Sequence, residues 1–299
     1  MTRLQKIGFE ILVHLLTLVA HLPLSVLYVL SDFLAFVVAH IVRYRRRVVF
    51  GNISRAFPDK SPEEVRRIAK AYYRHLCDLI VEGLKLLHIS DAELAARINV
   101  CGGEEVEAAA ASGRPVIIFL GHYGNWEWVQ QVTLHYSSPP ISAEIYRPMH
   151  SLVFDELMKR VRSRWNTLLI PQQQAIRKLM RMYSDGEQFL VGFIADQRPN
   201  SSHLYNWTTF LNQDTAFAVG GEELGRHLGA HYFYLQVEKT ARGHYRMTFC
   251  PLRPIKMDVP YPYTAEYLRR LEQTINHAPE FWLWSHNRWK YNREGKTIH

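Results

Sequence analysis

The chain has 299 residues, of which 47% are hydrophobic and 21% charged, with a formal net charge of +8. That much apolar side chain fills a core and excludes a disordered chain, while the basic balance suits an anionic partner: nucleic acid, anionic lipid headgroups or an acidic carrier protein. Cys77, Cys101 and Cys250 lie far apart with no CxxC pair, which argues against a disulfide framework or a cysteine zinc site and fits a reducing compartment.

The run from Ile11 to Leu30 contains no Asp, Glu, Lys or Arg and matches the ~20 residues that cross a bilayer core. A second apolar run, Phe33 to Val42, is followed by Arg43, Arg45, Arg46 and Arg47, against only Arg3 and Lys6 upstream. This bias puts the downstream side in the cytoplasm. A cleaved signal peptide fits poorly, because the apolar region is too long and no small-residue site ends it. The alternative to a single crossing is a helical hairpin broken at Pro23 and at Ser31-Asp32, lying in one leaflet or on the domain. Residues 1–42 are thus expected to be a membrane anchor, 43–100 a helical region, and 101–299 an α/β catalytic core.

In the helical region, Val65, Ile68, Ala69, Tyr72, Leu76, Leu79 and Ile80 recur at helical spacing. Ser61 followed by Pro62, Glu63 and Glu64 supplies a cap, a first-turn proline and acids for the positive helix end. After Gly102-Gly103 the pattern changes. Short apolar runs at 116–120, 141–146, 189–195, 231–239 and 245–252 read as strands. Helical stretches near 104–112, 126–136, 151–164, 172–184, 215–229 and 264–277 alternate with them. That alternation predicts an α/β fold, a mixed sheet flanked by helices, with a hairpin turn at Arg242-Gly243.

The chemistry-bearing stretch is VIIFLGHYGNWEW, residues 116–128. A buried strand should end at Leu120 and a helix begin near Trp126, with Gly121 and Gly124 permitting a tight turn and Asn125 as N-cap. His122 then lies at the carboxyl end of a strand, where α/β proteins place their sites. On one continuous helix His122 and Glu127 would lie about 140° apart; across a strand–turn–helix corner they can meet. Glu127 would then orient the imidazole and leave its other nitrogen to take a proton. The chain has no G-x-S-x-G, and no cysteine beside a plausible base. A covalent acyl-enzyme is therefore not expected, and the incoming alcohol would be deprotonated directly.

GHYGNWEW, YRPMH, MKRVRSRW, ADQRP and WLWSHNRWK occur in the order and spacing of the lipid A biosynthesis acyltransferase family. The chain resembles these late lauroyl and myristoyl transferases, within the wider lysophospholipid acyltransferase group marked by H-x4-D/E, over essentially its whole length. The resemblance implies that His122 and Glu127 are the catalytic pair. It also implies an acyl carrier protein thioester as donor and a hydroxyl of an acylated glucosamine lipid as acceptor. Transfer would occur at the cytoplasmic face of the bacterial inner membrane. Arg162 stands where the family places a functionally important arginine after YRP. Many members carry an acid two positions after the aspartate of ADQRP, where this chain has Arg198; that departure leaves the exact acceptor open.

On their own chemistry, Arg147, Arg162 and Arg164 are candidates to hold a phosphate or steady a thioester oxygen as negative charge develops. Asp196 and Gln197 end a strand, and Asp196 is expected to hold an arginine or the loop. The alternating aromatics and bases of residues 281–296 are read as a membrane interface rather than a nucleic-acid site, since no nucleic-acid motif accompanies them. Phe217, Gly220, Gly221 and Gly225 suggest close packing of a helix on the sheet or on the acyl chain. The leading function is acyl transfer from acyl carrier protein to a lipid A precursor, with no metal or tightly bound cofactor. Rival readings are acylation of another bacterial lipid, a lyso-phospholipid or an aminolipid, and a non-catalytic membrane-bound binding protein.

Overall fold

The computed structural model describes residues 3–135, 141–146, 148, 151–165, 167–200, 202 and 204–298. The apolar N-terminus forms two helices, α1 (Arg3–Ala20) and α2 (Leu24–Phe36), and α2 runs on through a π-helical turn at Val37–Ile41. The break falls before Pro23, whose fixed φ suits a helix start, whereas Ser31 and Asp32 stay inside α2. Consequently the expected Ile11–Leu30 span is interrupted. The stretch long and apolar enough to cross a membrane is instead Leu24–Ile41, which fits a membrane anchor.

That stretch is pinned to the domain at its middle. The Ser31 hydroxyl donates to Asp78 at 2.8 Å, and Asp32 receives Arg74 at 2.8 Å and Arg242 at 2.9 Å. Ile7, Ile11, Leu15, Leu18, Val29, Phe33 and Phe36 remain exposed on the outer side of the helix pair.

The chain continues through α3 (Arg46–Ala56), α4 (Pro62–Lys85), α5 (Asp91–Arg97), β1 (Ile98–Cys101), α6 (Gly103–Ala111) and β2 (Val116–Leu120). The expected start of α4 is realised as a capping box, Ser61 and Glu64 each bonding the other's backbone N–H. After β2 comes a 3₁₀ segment, Trp126–His135, then β3 (Ile141–Tyr146), α7 (Leu152–Arg162), β4 (Leu168–Pro171), α8 (Ala175–Ser184) and β5 (Phe189–Ile194). The hairpin β6 (Trp207–Phe210) and β7 (Gln213–Ala216) precedes α9 (Gly220–Leu228), β8 (His231–Ala241), β9 (His244–Pro251) and α10 (Pro262–His277).

Seven strands form one sheet in the order β1-β9-β8-β2-β5-β3-β4. Within this sheet, among the described residues, only β8 and β9 pair antiparallel, joined at Arg242-Gly243; its other pairings are parallel. The mixed sheet is therefore as expected, while β1, β4 and the β6–β7 hairpin add strands that short, weakly patterned runs did not announce. The last of these takes residues 215 and 216 out of the expected helix at 215–229, which begins only at Gly220.

Alternate residues of the central strand face two separate cores. Ile117 and Phe119 join the cluster under α3, α9 and α10, and Ile118 and Leu120 join the one under α2, α6 and the 3₁₀ segment. The glycines of α9 allow close approach to the first face. A Cβ on Gly221 would stand 2.8 Å from the Phe119 ring, and one on Gly225 2.5 Å from the Tyr232 hydroxyl.

Candidate active site

β2 and β5 run parallel with Leu120 opposite Ile194. Two residues beyond each, past the carboxyl ends, stand His122 and Asp196. The imidazole Nδ1 donates to Asp196 Oδ1 at 2.7 Å, and the His122 backbone N–H donates to Oδ2 at 2.9 Å. The Trp282 indole donates to the same Oδ2 at 2.8 Å. Burial alone would raise the Asp196 carboxyl. The facing His122 and these three hydrogen bonds outweigh it and hold the group at about 2. Asp196 is thus a fixed carboxylate that selects the tautomer with Nε2 free to accept a proton. Gln197 Nε2 donates to that nitrogen at 3.1 Å.

The expected partner Glu127 is engaged elsewhere. Its oxygens take Arg162 at 2.9 and 3.2 Å and the Trp126 indole at 3.1 Å. Arg162 also pairs with Glu144 at 2.9 Å. Burial raises the Glu144 carboxyl, partly offset by Arg162 and reinforced by the Glu127 charge. The hydrogen bond to Nδ1 expected from Glu127 is made by Asp196 instead, because the in-register pairing of β2 with β5 sets Asp196 beside His122 while Glu127 is held by Arg162. Glu127 remains close by through Trp126, whose ring lies 5.3 Å from that of His122 in a T-shaped contact.

Glu127, Arg162 and Glu144 line a mainly apolar cavity of about 60 Å³ on the second face of the sheet. Its walls include Ile118, Leu120, Val132, Gly192, Leu235 and Phe249.

Other expected site residues have structural duties. Asn125 is fully buried; its Oδ1 caps the Trp128 N–H at 3.1 Å and its Nδ2 donates to Glu82 at 2.6 Å. That confirms the N-cap and ties the amide into the buried network around Glu82. Arg164 donates to the carbonyls of Leu86, the C-cap of α4, at 2.7 Å, and of Ile89 just beyond it, so it does not line the cavity and closes a helix terminus. Arg147 lies outside the described residues. Arg162 lines the cavity, and Asp196 and Gln197 each contact the His122 ring.

The C-terminal tryptophans correct another expectation. Trp282, Trp284 and Trp289 are buried at 3%, 0% and 3% exposure rather than set at a membrane interface. They pack edge-to-face on one another. This segment is held from the N-terminal region: Asn52 donates to the carbonyls of Trp284 and His286, both at 2.9 Å, and Arg45 to that of Ser285 at 3.0 Å. Trp282, which completes the shell around Asp196, had no signal in the sequence beyond its motif.

The geometry is that of an oriented histidine beside a half-buried guanidinium and an apolar cavity. Comparison with known proteins agrees. The family described as bacterial lipid A biosynthesis acyltransferase matches residues 2–291. The lipid A biosynthesis lauroyltransferase of Escherichia coli (strain K12) is 24% identical over 283 residues, covering 94% of this chain and 90% of that one. The palmitoleoyltransferase of the same organism, and a lipid A biosynthesis acyltransferase of Shigella flexneri, are each 25% identical over 285 residues, 92% of this chain and 89% of theirs. With an oriented histidine at its centre and a match along nearly its full length, this chain belongs to the bacterial lipid A biosynthesis acyltransferase family.

Proposed function

We propose that the protein transfers a fatty acyl group from an acyl carrier protein thioester to a hydroxyl of a lipid A precursor, with His122 as general base. The observation that carries this reading is the Nδ1–H···Asp196 bond, which leaves Nε2 unprotonated and directed at Gln197. An acceptor hydroxyl displaces the Gln197 amide and gives its proton to Nε2. Its oxygen bonds to the thioester carbonyl carbon, the C–S bond breaks, and the departing thiolate takes the proton back from the imidazolium. The acyl chain is assigned to the mainly apolar cavity that Glu127 and Arg162 line, which must widen beyond its roughly 60 Å³ to take a full chain. Arg162 lines the same cavity and would stabilise the negative charge that develops on the carbonyl oxygen.

The net charge of +8 suits an acidic carrier protein. The exposed apolar side of α1 and α2, followed by Arg43, Arg45, Arg46 and Arg47, suits the cytoplasmic face of the bacterial inner membrane. Residues 1–42 would serve as the anchor and the sheet with its helices as the catalytic unit.

The test is reconstitution. The purified full chain, given acyl carrier protein thioester and a lipid A precursor lacking its last acyl groups, should yield a product heavier by one acyl chain. His122→Ala should remove most of it. A wild-type protein that acylates a lyso-phospholipid and leaves the lipid A precursor unchanged would overturn the acceptor assignment.

A further inference from the structure

Next to the base, on the Gln197 side, lies a concentration of positive charge that the transfer step does not use. Arg198 follows Gln197 directly; its guanidinium lies 5.2 Å from the centre of the Tyr291 ring, and Lys290 Nζ lies 5.1 Å from the same centre. Behind them is Arg288, 3% exposed, donating to the Ala216 carbonyl. His286 sits among them, its Nε2 accepting from the Arg198 backbone N–H at 3.4 Å.

What sets these cations apart is the lack of counter-charge. Among the described residues, neither Arg198, Arg288 nor Lys290 pairs with a carboxylate, whereas Arg162 and Arg242 each take two. The Nε atoms of Arg198 and Arg288 are both buried without a hydrogen-bond partner. The nearby carboxylate, Asp196, is already committed to His122 and Trp282. Burial is the chief cause that holds Arg288 down to about 10, and Arg198 adds to it. Burial likewise lowers His286 to about 4, with Arg288, His122 and Arg198 contributing, so it adds no charge at neutral pH. Concentrated, partly desolvated cations of this kind are costly unless an anion completes them.

We propose that Arg198 and Lys290, backed by the buried charge of Arg288, form a binding site for a phosphate group carried by the acceptor. Arg198 and Lys290 are half-buried and present the N–H groups the anion touches; Arg288 supplies field from a drier environment, where charge acts more strongly. None of the three lines the apolar cavity, so the site is separate from the one assigned to the acyl chain. A phosphate held here would bring the acceptor to the Nε2 side of His122, which sets both which lipid is accepted and which of its hydroxyls is presented. This rests on the acyl-transfer reading for the identity of the carrier, but not for the site itself.

Two experiments separate the questions. Inorganic phosphate titrated into the full chain in non-ionic detergent should bind saturably by calorimetry. Binding should weaken at least tenfold in Arg198→Gln, weaken also in Lys290→Gln, and be unchanged in His122→Ala. In turnover, Arg198→Gln should raise KM roughly tenfold for a phosphorylated acceptor. It should leave KM for the thioester donor unmoved and make no difference with the same acceptor after phosphatase treatment. A wild-type protein that fails to bind phosphate overturns the site, as does an Arg198→Gln variant, matched to wild type in melting temperature, that binds it equally well. A rise in donor KM alone would put the anion on the donor and overturn the acceptor assignment. Phosphate binding that persists in a protein with no acyl transfer to any lipid would sink the acyl-transfer reading and leave the site standing.

Discussion

Asp196 and His122 stand 74 residues apart in the chain and 2.7 Å apart in space, at the ends of two parallel strands paired in register. Asp196→Asn should keep the shape of this contact and favour the wrong imidazole tautomer, lowering turnover by ~10²–10⁴-fold, the usual worth of a positioned proton transfer. In a His122→Ala background the same change should add almost nothing, because the two groups act as one unit. Rate measurements on the two single variants and the double variant decide this; multiplicative losses would show that Asp196 acts independently of the base.

Glu127 should behave differently. It holds Arg162, which it shares with Glu144. Glu127→Gln should loosen the guanidinium that lines the cavity and cost less turnover than Asp196→Asn. Arg162→Met leaves two facing, partly buried carboxylates without their cation and should destabilise by about 3–5 kcal/mol, read as a fall in melting temperature. Adding Glu127→Gln and Glu144→Gln to Arg162→Met should recover most of that loss.

Acid should weaken the fold earlier than carboxylate titration alone would. Burial lowers His75 from 6.5 to about 3, with Lys239 adding to it, and His286 to about 4. Both are therefore neutral in the fold and protonate more readily when unfolded. Their contribution is fully present above 6.5 and is lost as pH falls from there toward 4, at up to about 1.4 kcal/mol per pH unit for each group. Asp196, lowered from 3.8 to about 2, adds a further loss only below about pH 4. Urea midpoints in detergent should drop between pH 6.5 and 4.5, and His75→Gln should flatten that drop. An unchanged slope in His75→Gln would show that His75 does not carry it.

Gly192 tests the cavity. A Cβ there would touch Leu120 at 3.7 Å, an ordinary contact, so Gly192→Ala should be nearly neutral. Gly192→Leu fills space lined by Leu120, Leu235 and Phe249 and should shift the preferred donor to a shorter chain, with roughly 10–200-fold discrimination per methylene pushed out. Mass spectrometry of products from a mixture of thioesters reads this directly. The same chain-length profile in wild type and Gly192→Leu would remove the cavity as the acyl site.

Much of this molecule could be read locally. The alternation of apolar runs with helical stretches, the capping box at Ser61, the β8–β9 turn at Arg242-Gly243 and the place of His122 at a strand exit all follow from spacing and turn chemistry within a few residues. The apolar N-terminus was legible too, but Pro23 moved the continuous helix from Ile11–Leu30 to Leu24–Ile41. Glu127 was the nearest acid along the chain at the right kind of corner, and for that reason it was read as the orienter.

Only the tertiary structure decided which acid reaches His122, that Arg164 closes a helix end, and that the tryptophans of residues 282–289 lie inside the protein. Each of these depends on which strands pair and which segments meet across the fold: β2 with β5 in register, Arg164 against the C-cap carbonyl of α4, and the C-terminal segment drawn in by Asn52 and Arg45. Periodicity and capping are signals between neighbours in sequence. The partner of a base is set by hydrogen bonds between strand ends 74 residues apart, and no local pattern in the chain encodes that pairing.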